Sequence, residues 1–206
     1  NLSKKEVLLK EFQSIGFYMS DHPLNIYKEF FEDLKIKSYS KFIEDPENNA
    51  YVAGTIMSMQ EKKSAKGTPF AIIKFTDLKS EFELFLFSDL LINNRDKLKS
   101  ANSFLITLQK DSLKDLSNSR RINIKNIVPL NDFVNKSYDK VTIEINGKSN
   151  MQELKNLLHN EGKTKIQIKV NRNSKIYIFS LKNPRKFNLS TFSALKNKEY
   201  IKKISF

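Results

Sequence analysis

The spacing of apolar residues changes from helical to alternating near residue 50, and this one change divides the chain into a helical opening and a run of short strands. In the opening, Val7, Leu8, Phe12 and Ile15 form a stripe that predicts a helix over 4–18, with Gly16 as its stop. Ser20 or Asp21 can cap the next helix, and Pro23 suits a first helical turn. That second helix is predicted over 23–34, with Leu24, Tyr27, Phe30, Phe31 and Leu34 facing inward. A polar connection over 44–49 ends this stretch.

From there the period is two. Strands are predicted over 51–60, 70–76, 81–87, 104–110 and 120–128, with a helix over 89–98 between the third and fourth. Phe82, Leu84 and Leu86 share one face of the third strand. The first connection, Lys62–Pro69, is basic and carries the hairpin signals Gly67 and Pro69. A Ser/Asp/Asn-rich loop over 111–119 joins the last two strands, and Pro129 ends the fifth. Five strands with a helix after the third is the order of an OB-fold, although other small barrels share the strand count. Gly54 suits the sharp bend of a first barrel strand.

After a predicted linker at 131–139 the pattern restarts as a small α/β domain over 140–206. It has a strand at 140–145 and a helix at 151–160 stopped by Gly162. A hairpin follows, 164–170 with 175–181 around Asn171-Arg172-Asn173-Ser174. A helix at 190–199 capped by Ser190 and a last strand at 201–206 complete it. The expected organisation is multi-domain α+β: a helical segment over 1–48, a five-stranded OB-fold barrel over 49–130, and the C-terminal α/β domain.

Charge follows the same division. The chain carries a net +13, yet residues 134–206 hold 16 Lys and Arg against 5 Asp and Glu. A lysine-rich genome would explain a general excess but not an acid-poor last third; a basic surface attracts polyanions and acidic proteins. With no Cys, disulfides, thiolate metal sites and thiol nucleophiles are excluded, and the chain suits a reducing cytosol. No apolar run is long enough to cross a membrane. The start at Asn1-Leu2-Ser3, with neither Met nor a signal-peptide pattern, suggests a longer chain.

The segment Ile15-Gly16-Phe17-Tyr18-Met19-Ser20-Asp21-His22-Pro23-Leu24 resembles the LGFYLSGHPL signature of bacterial DNA polymerase III alpha subunits. Ala53-Gly54-Thr55-Ile56, Lys66-Gly67-Thr68-Pro69-Phe70-Ala71, Phe75-Thr76-Asp77-Leu78 and Glu83–Phe87 resemble the run that comes after it in that family. The likeness covers roughly 6–130, and extends over 140–206 by domain order alone. Asp21 replaces a family Gly, and an Asp tolerates a left-handed backbone better than most residues. Ser80 replaces the usual Gly of the turn before the third strand. The resemblance implies the non-catalytic C-terminal part of a bacterial, cytoplasmic replicative polymerase. The polymerase carboxylates would lie upstream, in the rest of the alpha chain. The barrel would bind single-stranded DNA, and the last domain would bind the tau subunit of the clamp loader. Gln13-Ser14-Ile15-Gly16-Phe17 does not serve as a clamp-binding motif, because Gly16 stands where the anchoring apolar residue should be.

His22 and His159 are the only histidines, and His22, before Pro in a turn, reads as structural. Glu81 and Glu83 read as the solvated face opposite Phe82 and Leu84. No Gly-rich phosphate loop and no Ser/His/Asp set can be assembled, so no catalytic residue, metal or cofactor is expected. OB-folds bind strands through the loops joining strands one to two and four to five. Those loops carry Lys62, Lys63 and Lys66, and Lys114, Arg120 and Arg121. Phe70, Phe85 and Phe87 either stack bases or lie in the core, Phe85 and Phe87 then under the helix at 89–98. Lys165, Lys169, Arg172, Lys175, Arg185 and Lys186 are the candidate partner-binding residues of the last domain. Two other readings stay open: a free-standing nucleic-acid-binding OB protein of the anticodon-binding kind, and a barrel that docks protein.

Overall fold

The computed structural model describes residues 2–114, 120–136, 138–146, 150–172 and 175–206, except for the side chains of 5, 112–114 and 120. It is mixed α+β and divides into two compact units, Asn1–Phe133 and Val134–Phe206. Helix α1, Lys4–Ile15, begins in a capping box: Ser3 Oγ accepts the Glu6 N–H while the Glu6 carboxylate accepts the Ser3 N–H. It stops where Gly16 takes φ 82°, three residues short of the predicted end. The predicted helix over 23–34 is broken into a 3-10 turn, Asn25–Tyr27, and a short helix α2, Lys28–Asp33. Leu24, Tyr27, Phe30 and Phe31 are nevertheless all buried.

A helix that the periodicity did not show, α3, Tyr39–Glu44, comes next with Ser38 as its cap. It drives Phe42, fully buried, into the core of the sheet. Six residues give too few turns for a 3.6-residue period to emerge. The five strands are β1 Asn49–Lys63, β2 Pro69–Thr76, β3 Glu81–Phe87, β4 Ser103–Lys114 and β5 Arg120–Pro129. They form one sheet in the order β3-β2-β1-β4-β5, antiparallel at every step. β1 serves two partners in succession, β4 along its first half and β2 along its second, with a bulge between Ile56 and Ser58. A Cβ on Gly54 would sit 3.0 Å from Phe75 Cδ1 and 3.1 Å from Phe82 Cζ, so any larger residue would have to push these core rings aside by a few tenths of an ångström. Helix α4, Ser88–Asn94, sends Leu91 into the same core.

In the second unit, β6 Lys140–Ile145 and β7 Glu161–Arg172 run parallel, joined through α6, Met151–Leu157. β8, Lys175–Ser180, pairs antiparallel with β7, and β9, Ile201–Ser205, with β6, giving the order β8-β7-β6-β9. Ile143, Ile166 and Ile168 of the sheet, Leu154 of α6, and Phe192 and Leu195 of α7, Leu189–Lys196, are all buried. The residues Asn173 and Ser174 of the predicted turn lie outside the described residues.

Two sequence-based expectations do not hold. Gly162 does not stop α6: it lies in β7, where a Cβ would be 2.4 Å from the Lys186 backbone nitrogen. Asn188 caps α7 in place of Ser190, its Oδ1 accepting from the N–H and the hydroxyl of Thr191 at 3.0 Å each. A short helix, α5, Leu130–Val134, lies at the start of the segment expected as a linker, and the boundary between the two units falls within it.

Candidate nucleic-acid interface

The turn at Ile15–Leu24 is built on carboxylates. Glu11, on α1, accepts the N–H groups of Met19 and Ser20 at 2.5 and 2.7 Å and the Ser20 hydroxyl at 2.6 Å. These bonds hold its carboxyl below the usual range. Asp21 does not take the left-handed backbone allowed for it; its φ is negative. Its carboxylate instead pairs with Lys4, accepts from the Asn25 side chain and takes the His22 N–H at 2.8 Å. The Lys4 contact above all lowers its pKa to about 2. His22 Nδ1 accepts the Leu24 N–H at 3.1 Å and its ring stands edge-on to Tyr18. Burial lowers its pKa, partly offset by Asp77 and Asp21. This is a neutral, structural imidazole. Among the described residues no group of three or more His, Cys, Asp or Glu is placed to hold a metal.

Asp77, which the sequence offered only as part of the family run, ties the helical opening to the sheet. Its Oδ1 accepts the N–H groups of Lys79 and Ser80 at 2.7 Å each, and its Oδ2 accepts the Tyr39 N–H at 2.8 Å. Ser80 therefore keeps the turn without glycine's freedom: its N–H is bonded, and its carbonyl accepts from Asp77 N–H at 2.9 Å. Lys110 was also missed. It is buried, its ammonium donating to the Ile43 and Asp45 carbonyls at 3.1 and 2.5 Å and lying 4.6 Å from the Phe42 ring centroid. A cation at the C-terminal end of α3 is favourably placed against its unpaired carbonyls.

On the outward face of β1, β2 and β3 the register aligns residues in rows. Lys62 lies opposite Phe70, and Phe70 opposite Phe87; Gln60 lies opposite Ile72, and Ile72 opposite Phe85. Inward residues Phe82, Leu84 and Leu86 are buried, whereas Phe85 and Phe87 are 46% and 54% exposed. The reading that α4 covers those two rings is thus overturned: α4 packs its Leu91 on the inward side. The rings of Phe70, Phe85 and Phe87 form an open triangle with centroids 6.0–6.4 Å apart. One row further along, Lys74 is held by Glu81 at 2.6 Å.

The β1–β2 hairpin beside this cluster is closed tightly. Ser64 N–H donates to the Thr68 carbonyl and Gly67 N–H to the Ser64 carbonyl, both at 2.9 Å, with Gly67 at φ 80°. Lys62, Lys63 and Lys66 are all exposed there. The basic residues of the second loop are not brought to them by the register. Lys63 pairs at the hairpin end of β1, while the other end of β1, Asn49, pairs with Gln109 near that loop. Arg121 is exposed; the loop centre, 115–119, and the side chains of Lys114 and Arg120 lie outside the described residues.

In the second unit, Lys165, Arg172, Lys175 and Lys186 are exposed, and Arg185 is half-buried. Lys169 is already engaged by Glu144 at 3.2 Å. Arg172 and Lys175 sit at the tip of the β7–β8 hairpin, opposite each other. Arg185 and Lys186 come after β8 at its other end, where the chain returns past Gly162.

No family model matches the chain. Curated proteins do match. The DNA polymerase III subunit alpha of Rickettsia bellii is 31% identical over 115 residues, 54% of this chain and 10% of that protein. That of Rickettsia felis is 25% identical over 173 residues, 82% of this chain and 14% of that protein. That of Buchnera aphidicola is 29% identical over 159 residues, 75% and 13% of the two chains. The chain thus spans roughly a tenth to a seventh of the length of these relatives. Together with the carboxylate-built turn at Ile15–Leu24, these matches relate the chain to the alpha subunit of bacterial DNA polymerase III, in a stretch consistent with its C-terminal region.

Proposed function

We propose that this chain is a non-catalytic C-terminal part of a replicative polymerase alpha subunit, and that its first unit is an OB-fold that holds single-stranded template DNA. The observation that carries the reading is the open triangle of Phe70, Phe85 and Phe87 beside the exposed Lys62. Exposed rings beside cations suit single strands: bases stack on the rings and ammonium groups neutralise phosphates. The strand order, the two-partner β1 and the approach of β3 to β5 across the ends of the sheet support the OB reading. The second unit, on this proposal, docks the tau subunit of the clamp loader through its basic surface; its excess of cations supports an acidic partner. Nucleotide incorporation belongs to the rest of the alpha chain.

Replacing Lys62, Lys63 and Lys66 together by Ala should weaken oligonucleotide binding equally for all sequences and flatten its salt dependence. Phe85→Ala with Phe87→Ala should cost ~1–3 kcal/mol for each base that loses its platform. A fluorescence titration over a range of salt concentrations checks both. Unchanged affinity and slope in folded variants would remove the DNA interface and leave the face to a protein partner.

A further inference from the structure

The second sheet ends in two edge strands that are treated differently. β9, Ile201–Ser205, carries the adjacent pair Lys202 and Lys203, the ordinary protection of an exposed edge. β8 carries one lysine, Lys175, at its first position and none after it. Its sequence after Lys175 is Ile176-Tyr177-Ile178-Phe179, apolar on both faces, with neither Pro nor glycine. These four residues are 59%, 45%, 59% and 55% exposed. Strands apolar on both faces belong to sheet interiors, where a neighbour pairs with each edge. Among the described residues β8 pairs only with β7. Tyr177 and Phe179 lie opposite Val170 and Ile168, so they prolong the buried face of the sheet to an edge that nothing among the described residues completes.

We propose that β8 is a docking edge, completed by an extended acidic segment of a partner protein that adds as a further strand. Backbone pairing would supply affinity, and its alternate apolar side chains would cover Ile176 and Ile178 on one face and Tyr177 and Phe179 on the other. The acidic character comes from charge. Arg172 and Lys175 flank one end of β8, and Lys182, Arg185 and Lys186 lie beyond the other. A second copy of the chain would bring the same cations against these and is disfavoured for that reason. The inference rests on the reading of the second unit as a docking domain, and names the edge and the chemistry of the segment that docks.

The probe is a labelled eight-residue peptide alternating Glu with Val or Ile, offered to the whole 206-residue chain. Binding should protect the amides of 175–180 from hydrogen exchange. It should weaken by roughly tenfold in each of two variants, Ile176→Thr with Ile178→Thr and Lys175→Glu with Lys182→Glu. The first pair keeps strand-forming side chains, so the fold is retained. A version of the peptide N-methylated at alternate residues should not bind. Equal binding of the methylated peptide, or protection elsewhere in the chain, overturns the proposal. So does self-association of the chain that the Thr pair abolishes, because the occupant would then be a second copy. The docking domain is tested separately by capture of purified tau: capture that survives both variants leaves the domain reading standing and removes β8 as its seat.

Discussion

Single carboxylates position the helical opening of the first unit and the turn before β3. Asp77 satisfies three backbone N–H groups from two different parts of the first unit, at 2.7–2.8 Å. It is buried, so removing it strands those donors away from water. Asp77→Ala should lower stability by about 1.5–3 kcal/mol, the range for hydrogen bonds to a charged group, measured by urea unfolding. His22 gives a pH signature. Burial pushes its folded pKa below the ordinary 6.5, so the unfolded chain binds the proton more readily. The stability it holds as a neutral ring is complete above 6.5 and is lost as pH falls from 6.5 through the lower folded value. Asp21 acts in a different window: with its pKa lowered from 3.8 to about 2, its contribution disappears only as pH falls across that interval. An NMR titration of His22 should show a midpoint below 6.5, and His22→Asn should remove the loss of stability seen as pH falls below 6.5.

At the scale of elements, the short helix α3 depends on a lysine 65 to 67 residues away in sequence. Lys110 bonds two carbonyls at the end of α3 and covers the Phe42 ring. A Met in its place keeps the stem but leaves those carbonyls without a donor. Lys110→Met should therefore cost about 1–3 kcal/mol and raise hydrogen exchange selectively over 38–45. How much of this was legible in the sequence depended on range. The period-two alternation of Phe82, Leu84 and Leu86 placed β3 to the residue, because each strand position declares its own face. α3, the 3-10 turn and the true cap of α7 were not legible, since segments of three to eight residues owe their form to the surfaces they meet.

The two units differ in surface character. The first unit, Asn1–Phe133, has an aromatic cluster beside lysines; the second, Val134–Phe206, has most of the cationic excess and an apolar strand edge. Each has its own set of buried residues, Val52, Ile73 and Phe104 in one and Ile143, Phe192 and Ile204 in the other. Residues 134–206 expressed alone should fold, with a cooperative thermal transition by circular dichroism. Among the described residues no helix is long and apolar enough to cross a membrane.

By itself the sequence determined the order of the strands, the turn at Ile15–Leu24 and the relationship to the polymerase subunit. These rest on local patterns: alternation, capping residues and a contiguous motif. Tertiary structure decided which aromatics are free. Phe82 and Phe85 are the same residue type three positions apart, and their fates differ because Phe82 faces the core that the five strands share with α3 and α4, whereas Phe85 lies on the open face. It also decided what the charges do. Lys110 is buried as a helix cap, Lys74 and Lys169 are engaged by Glu81 and Glu144, and Lys62 stands exposed beside the rings. A lysine's role is set by the groups within a few ångströms of its ammonium, and those arrive from residues 7 to 67 positions away.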